Sequence, residues 1–157
     1  MSHMTLFHSL LPDVAADETR SVTILNHPDL PKAQYGFIES YCDDPACDCR
    51  RVLISVISPE MPGKILATIN YGWESLAFYT RWMHNASDAE QARGATLDPL
   101  NPQSALSPAL LRLFETVLQD QAYVERLKRH YTLFKQALRA KRPPKQVQHR
   151  ARPRRRR

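Results

Sequence analysis

Glycine is scarce in this chain, with four in 157 residues. That excludes a glycine-rich phosphate loop, and neither a dinucleotide-binding fingerprint nor an HExxH or GxSxG motif occurs. No spacing of Ser, His and Asp marks a catalytic triad. No apolar run approaches the ~20 residues that span a bilayer, so no membrane partner is expected. The N-terminus lacks a positively charged segment followed by an apolar one, which argues against a secretory signal. Ser2-His3-Met4 reads as a cloning remnant ahead of a start at Met4. A reducing, cytoplasmic location is the resulting expectation.

Cysteine is scarcer still, yet its three copies are not scattered. Cys42, Cys47 and Cys49 all fall within YCDDPACDCRR, residues 41–51. Clustered thiols in a reducing compartment favour a metal over a disulfide. A Cys47–Cys49 bridge would also close a very tight ring. The stretch therefore reads as a metal knuckle with zinc as the first candidate, although its spacing departs from the two-residue gap of common zinc fingers.

A tetrahedral zinc site needs four N or S ligands, so one must come from elsewhere. His130 is the best candidate, because it lies three residues after Leu127 and four before Phe134 on the inward stripe of the last helix. The plain alternative for His130 is a core-edge histidine bonded to a carbonyl. His27 and His84 are weaker choices, and Asp44 and Asp48 could ligate or orient a ligand. A closed Cys3His site would be structural. An open three-ligand site could be catalytic with Glu39 as the nearest strand carboxylate. Three thiolates damp the Lewis acidity of the ion, which favours the structural role.

Around the knuckle, hydrophobic periodicity predicts an α+β fold. Residues 21–25 (SVTIL) suit a short strand. Residues 34–41 alternate so that Tyr35, Phe37, Glu39 and Tyr41 share a face, and residues 51–58 (RVLISVIS) are apolar on both faces. Residues 64–71 follow as another strand with Ile65, Ala67, Ile69 and Tyr71 on one side. Short connections make this a three- or four-stranded antiparallel meander with the knuckle at a hairpin end. Periodicity then turns helical over 73–86, with a short turn at 87–93 capped by Ser87. Residues 95–106 read as an extended connection. Ser107-Pro108 starts a helix with Ser107 as its cap, and Asp120 caps a last helix reaching about residue 140. Lys128, Arg129, Lys135 and Arg139 are assigned to the polar side of that helix.

Acidic residues are missing from one stretch altogether. Residues 141–157 hold nine Lys or Arg and no Asp or Glu. The remaining 140 residues carry 13 basic and 16 acidic side chains, a net charge of −3 beneath the overall +6. The expected organisation is thus a flexible segment at 1–20, one zinc-knuckle domain at 21–141 and a disordered Arg-rich tail at 142–157. Lys145, Arg150, Arg152, Arg154, Arg155, Arg156 and Arg157 are the candidate phosphate contacts. Their binding would be salt-sensitive and independent of sequence. The favoured function is a non-enzymatic, zinc-stabilised module that associates with nucleic acid or a nucleoprotein through this arm. A protein-interaction module built on the aromatic residues Trp73, Tyr79 and Trp82 is a second reading, and a metal-dependent enzyme a third.

Overall fold

The computed structural model describes residues 3–141, which form one antiparallel six-stranded sheet with helices. The long strand β3 (Ala33–Cys42) pairs with β4 (Arg51–Ile57), β4 with β5 (Ala67–Gly72), and β5 with β6 (Gly94–Leu97). That is the expected meander, extended by β6 out of the stretch expected to be an unpaired connection. The free edge of β3 is shared by two short strands. β1 (Met4–Leu6) pairs with residues 40–42 and β2 (Ser21–Ile24) with residues 33–36.

Between β1 and β2 lie α1 (Phe7–Leu10) and α2 (Pro12–Glu18). The expectation of a flexible segment at 1–20 is therefore corrected for residues 3–20. Phe7 is buried and stacks on the His130 ring, with centroids 4.5 Å apart. Pro12 in the first turn and Asp13 beside it suit the start of α2, where a missing N–H and a negative charge are tolerated or favoured.

One sheet face carries the core. Tyr35, Phe37 and Tyr41 of β3 alternate inward, as do Val52, Ile54 and Val56 of β4 and Ala67, Ile69 and Tyr71 of β5. Ile65, assigned to the same face, lies before the strand begins and is exposed. The core face packs against α5 (Ser107–Val117) and α6 (Gln121–Ala140) through Leu110, Phe114, Tyr123, Leu127 and Phe134. Aromatic rings meet edge-on or tilted across this interface, Phe37 with Phe114 at 5.5 Å and Tyr41 with Phe134 at 5.6 Å. Asp120 caps α6 as expected, its carboxylate accepting from the Ala122 N–H. Ser107 does not cap α5. Its hydroxyl donates to the Leu66 carbonyl, pinning the start of the helix to the residue that leads into β5.

The helical stretch after β5 divides into α3 (Leu76–Met83) and α4 (Ala86–Ala92), capped by Ser75 and Asn85. Ser87 is thus the second residue of α4, not its cap. His84, in the left-handed region at φ 56°, makes the break between the two helices. Both lean on the sheet at Gly72, where a Cβ would lie 2.2 Å from the Ala92 carbonyl oxygen and 2.6 Å from the Tyr79 hydroxyl. Only glycine permits that approach. No helix among the described residues is long and apolar enough to cross a membrane.

Candidate metal centre

The β3–β4 connection is the cysteine knuckle. Cys42 ends β3, Cys49 lies two residues before β4, and Cys47 sits in the turn between them. Local polar chemistry shapes the turn. The Asp44 carboxylate accepts from the Ala46 N–H, and its carbonyl accepts from the Cys47 N–H. Arg50 closes the loop in the left-handed region at φ 48°, a conformation that costs energy for a side chain with a Cβ. Its surroundings hold it there. The guanidinium donates to Asp48 and Glu74, the carbonyl accepts from Tyr79 Oη at 2.8 Å, and the N–H donates to Tyr131 Oη at 3.3 Å.

This geometry gathers all three sulfurs within 4.8 Å of one another, with Cys42 and Cys49 buried and Cys47 half-buried. No disulfide joins them. An ion about 2.3 Å from each sulfur spans such a group with little movement of the thiols, so the cluster can hold a metal. Burial, then the neighbouring Cys49 and Cys42, pushes the Cys47 thiol up to about 12. Burial also raises Cys49, with Cys42 adding to the effect. Three adjacent thiols resist ionising together unless a cation joins them, and a bound metal would displace their protons.

Helix α6 supplies a second element of the centre that sequence reasoning assigned to the wrong face. Lys135 is buried, and its ammonium donates to the carbonyls of Cys42 at 2.9 Å and Asp44 at 2.6 Å. The same helix sends Tyr131 Oη to the Cys47 carbonyl at 3.2 Å. The helical spacing Leu127–Tyr131–Lys135 places the lysine on the inward stripe, and this was the signal available in the sequence. A divalent ion held by three thiolates would carry one net negative charge, which the Lys135 ammonium would offset. A cleft of about 240 Å³, lined by Cys47, Tyr131, Lys135 and Arg139 among others, opens beside the half-buried sulfur.

His130 does not join the sulfurs. It is fully buried on the inward stripe as expected, but both ring nitrogens are occupied. Nδ1 lies 2.8 Å from Glu39 Oε1 and Nε2 2.8 Å from Glu18 Oε2. Buried Glu39 also accepts from Tyr41 Oη. The helix therefore offers its imidazole to carboxylates of β3 and α2. Burial of the ring opposes its charged form, but the hydrogen bond and charge of Glu39, then of Glu18, outweigh it and raise the His130 pKa. Glu18 is held down at about 2 by hydrogen bonds from Arg129 and His130.

The remaining candidates are also placed elsewhere. Asp48 pairs with Arg50, and His27 Nδ1 accepts from the Asp29 N–H. Among the described residues, no imidazole, carboxylate or fourth sulfur completes the cluster. Of the aromatic trio, Tyr79 is buried, Trp73 is half-buried against Tyr131, and only Trp82 is substantially exposed. Lys145, Arg150, Arg152, Arg154, Arg155, Arg156 and Arg157 lie outside the described residues. No family model, no curated protein and no solved structure matches the chain.

Proposed function

We propose that the protein is a small metal-stabilised binding module. In this reading Cys42, Cys47 and Cys49 hold one zinc ion that staples the β3–β4 hairpin, and the basic arm beyond residue 141 engages a polyanion. The convergence of all three cysteines within 4.8 Å carries the metal half of the reading. Zinc suits the donor set, since thiolates favour soft or borderline ions and zinc is the common one in structural sites. Unpaired, clustered thiols suit a reducing cytoplasm. A structural role also suits the surroundings. Lys135 and Tyr131 are committed to bonds with the loop backbone, Arg50 is paired with Asp48 and Glu74, and the carboxylate nearest in the strand sequence, Glu39, is engaged by His130 and Tyr41.

The charge distribution supports the second half. A body of net charge −3 over residues 1–140, followed by nine cationic side chains in the last 17 residues, resembles a domain with an appended arm more than a basic surface. Nucleic acid is the proposed polyanion.

Chelation tests the metal half. Stripping the ion from purified protein should lower the thermal midpoint, and stoichiometric zinc should restore it, because a ligand bound only by the folded state stabilises that state. An unchanged midpoint, with metal demonstrably removed, would sink the structural role.

A further inference from the structure

Arg50 and Arg51 follow one another at the end of the knuckle, yet only the first is paired. Arg50 forms ion pairs with Asp48 and Glu74. The guanidinium of Arg51 belongs to no ion pair among the described residues, and its Nε is buried without any hydrogen-bond partner. A buried, unsatisfied charged donor is costly and points to a missing acceptor.

The side chain lies in a cleft of about 380 Å³ between α4 and the sheet. Strand alternation sends Val52, Ile69 and Tyr71 to the core, so Arg51, Asn70 and Gly72 face the other way. Gly72 lets α4 touch the sheet on that face, and the cleft is lined by residues of α4, β5 and β6 beside that contact. Its polar lining includes Arg51, Asn70, Gln91 and Thr96, and its apolar lining Met83 and Leu97. Asn70 Nδ2 is committed to Asp98, which leaves the arginine as the charged donor of the cleft.

We infer that this cleft binds a small organic monocarboxylate, held by the Arg51 guanidinium with its hydrocarbon part against Met83 and Leu97. A planar carboxylate matches the two-pronged donor geometry of an arginine that lines the cleft and belongs to no ion pair among the described residues. Asp88 also lines the cleft, so its negative charge disfavours a dianion such as phosphate. The cleft shares no lining residue with the three-sulfur cluster.

Titration of sodium butyrate into the ¹⁵N-labelled full chain at constant ionic strength tests the proposal. The expected result is a saturable millimolar shift of the Arg51, Asn70 and Thr96 amide signals. Inorganic phosphate should give a weaker response. Arg51→Met should weaken butyrate binding at least about tenfold, and Arg51→Lys should fall between, because an ammonium cannot form the paired contact. Should Arg51→Met fail to fold, Gln91→Glu alters an exposed helical residue and should block the site with a competing carboxylate. Non-saturating shifts in the wild type would overturn the proposal. So would saturable shifts confined to other regions, or a folded Arg51→Met or Gln91→Glu protein that binds as the wild type does.

Discussion

Replacing His130 with alanine is expected to cost about 3–5 kcal/mol of folding stability, because breaking a buried ion pair leaves its partner charge uncompensated. Glu39 is that partner, 3 % exposed and bonded to Nδ1 of the imidazole. The loss would also remove the ring on which Phe7 stacks and the bond that ties Glu18 of α2 to α6. Against a typical domain stability of about 5–15 kcal/mol, such a loss is a large fraction. Urea unfolding of both proteins measures it. A cost below about 1 kcal/mol would mean that the Glu18–His130–Glu39 array does not hold the N-terminal segment to the sheet.

The pH dependence of that difference follows from the two shifts. His130 has a folded pKa above 6.5, so its contribution is complete below 6.5 and is lost as pH rises through the folded value. Glu18 is depressed from 4.5 to about 2, so its contribution is complete above 4.5 and is lost as pH falls towards 2. Both are present between pH 4.5 and 6.5. The stability gap between wild type and His130→Ala should be widest in that window and narrow at alkaline pH, where the neutral ring keeps only an uncharged hydrogen bond. A gap that is flat from pH 5 to 9 would contradict the charged array (about four units, ample to cross the transition).

Removing residues 142–157 is the second large effect. The truncation takes away eight of the nine arginines and lysines in the basic stretch and leaves a body of net charge near −2. Binding to double-stranded DNA or RNA at low salt should fall at least about a hundredfold, since phosphate neutralisation supplies essentially all of sequence-independent affinity. For the full chain, the logarithm of affinity should fall linearly with the logarithm of salt, with a slope of up to about −8 if all nine cations meet phosphates of B-DNA. Electrophoretic shift or fluorescence anisotropy across a salt series reads both quantities. Equal binding by the truncated protein would move the interface onto the folded body and remove the arm from the function.

Much of the scaffold was legible because its signals are local. The alternation Tyr35–Phe37–Glu39–Tyr41 announced β3, and the apolar run 52–57 announced β4, which lies between β3 and β5 in the sheet. Asp120 marked the start of α6. Other features depended on partners distant in sequence. The strand expected at 21–25 is β2, but residues 4–6 are a strand only because β3 is long enough to offer the rest of its edge to them, and three residues carry too little pattern to announce that. β6 was hidden for the same reason, since residues 94–97 gain their identity only from pairing with β5. The cysteine cluster was readable from spacing, whereas its surroundings were not. The position of His130 on the buried stripe was correct, but the partner was set by Glu39, 91 residues earlier, and by Glu18 from a segment expected to be loose. Lys135 was misassigned because charge suggested solvent, while helical spacing placed it inward against the loop carbonyls.

Elemental analysis of protein purified without added metal, set beside Cys47→Ser, addresses the three-sulfur centre most directly. One zinc per wild-type chain, lost or greatly reduced in Cys47→Ser, is the expected result. Folded wild-type protein that carries no metal, and that takes up none when zinc is supplied to the reduced thiols, would contradict it.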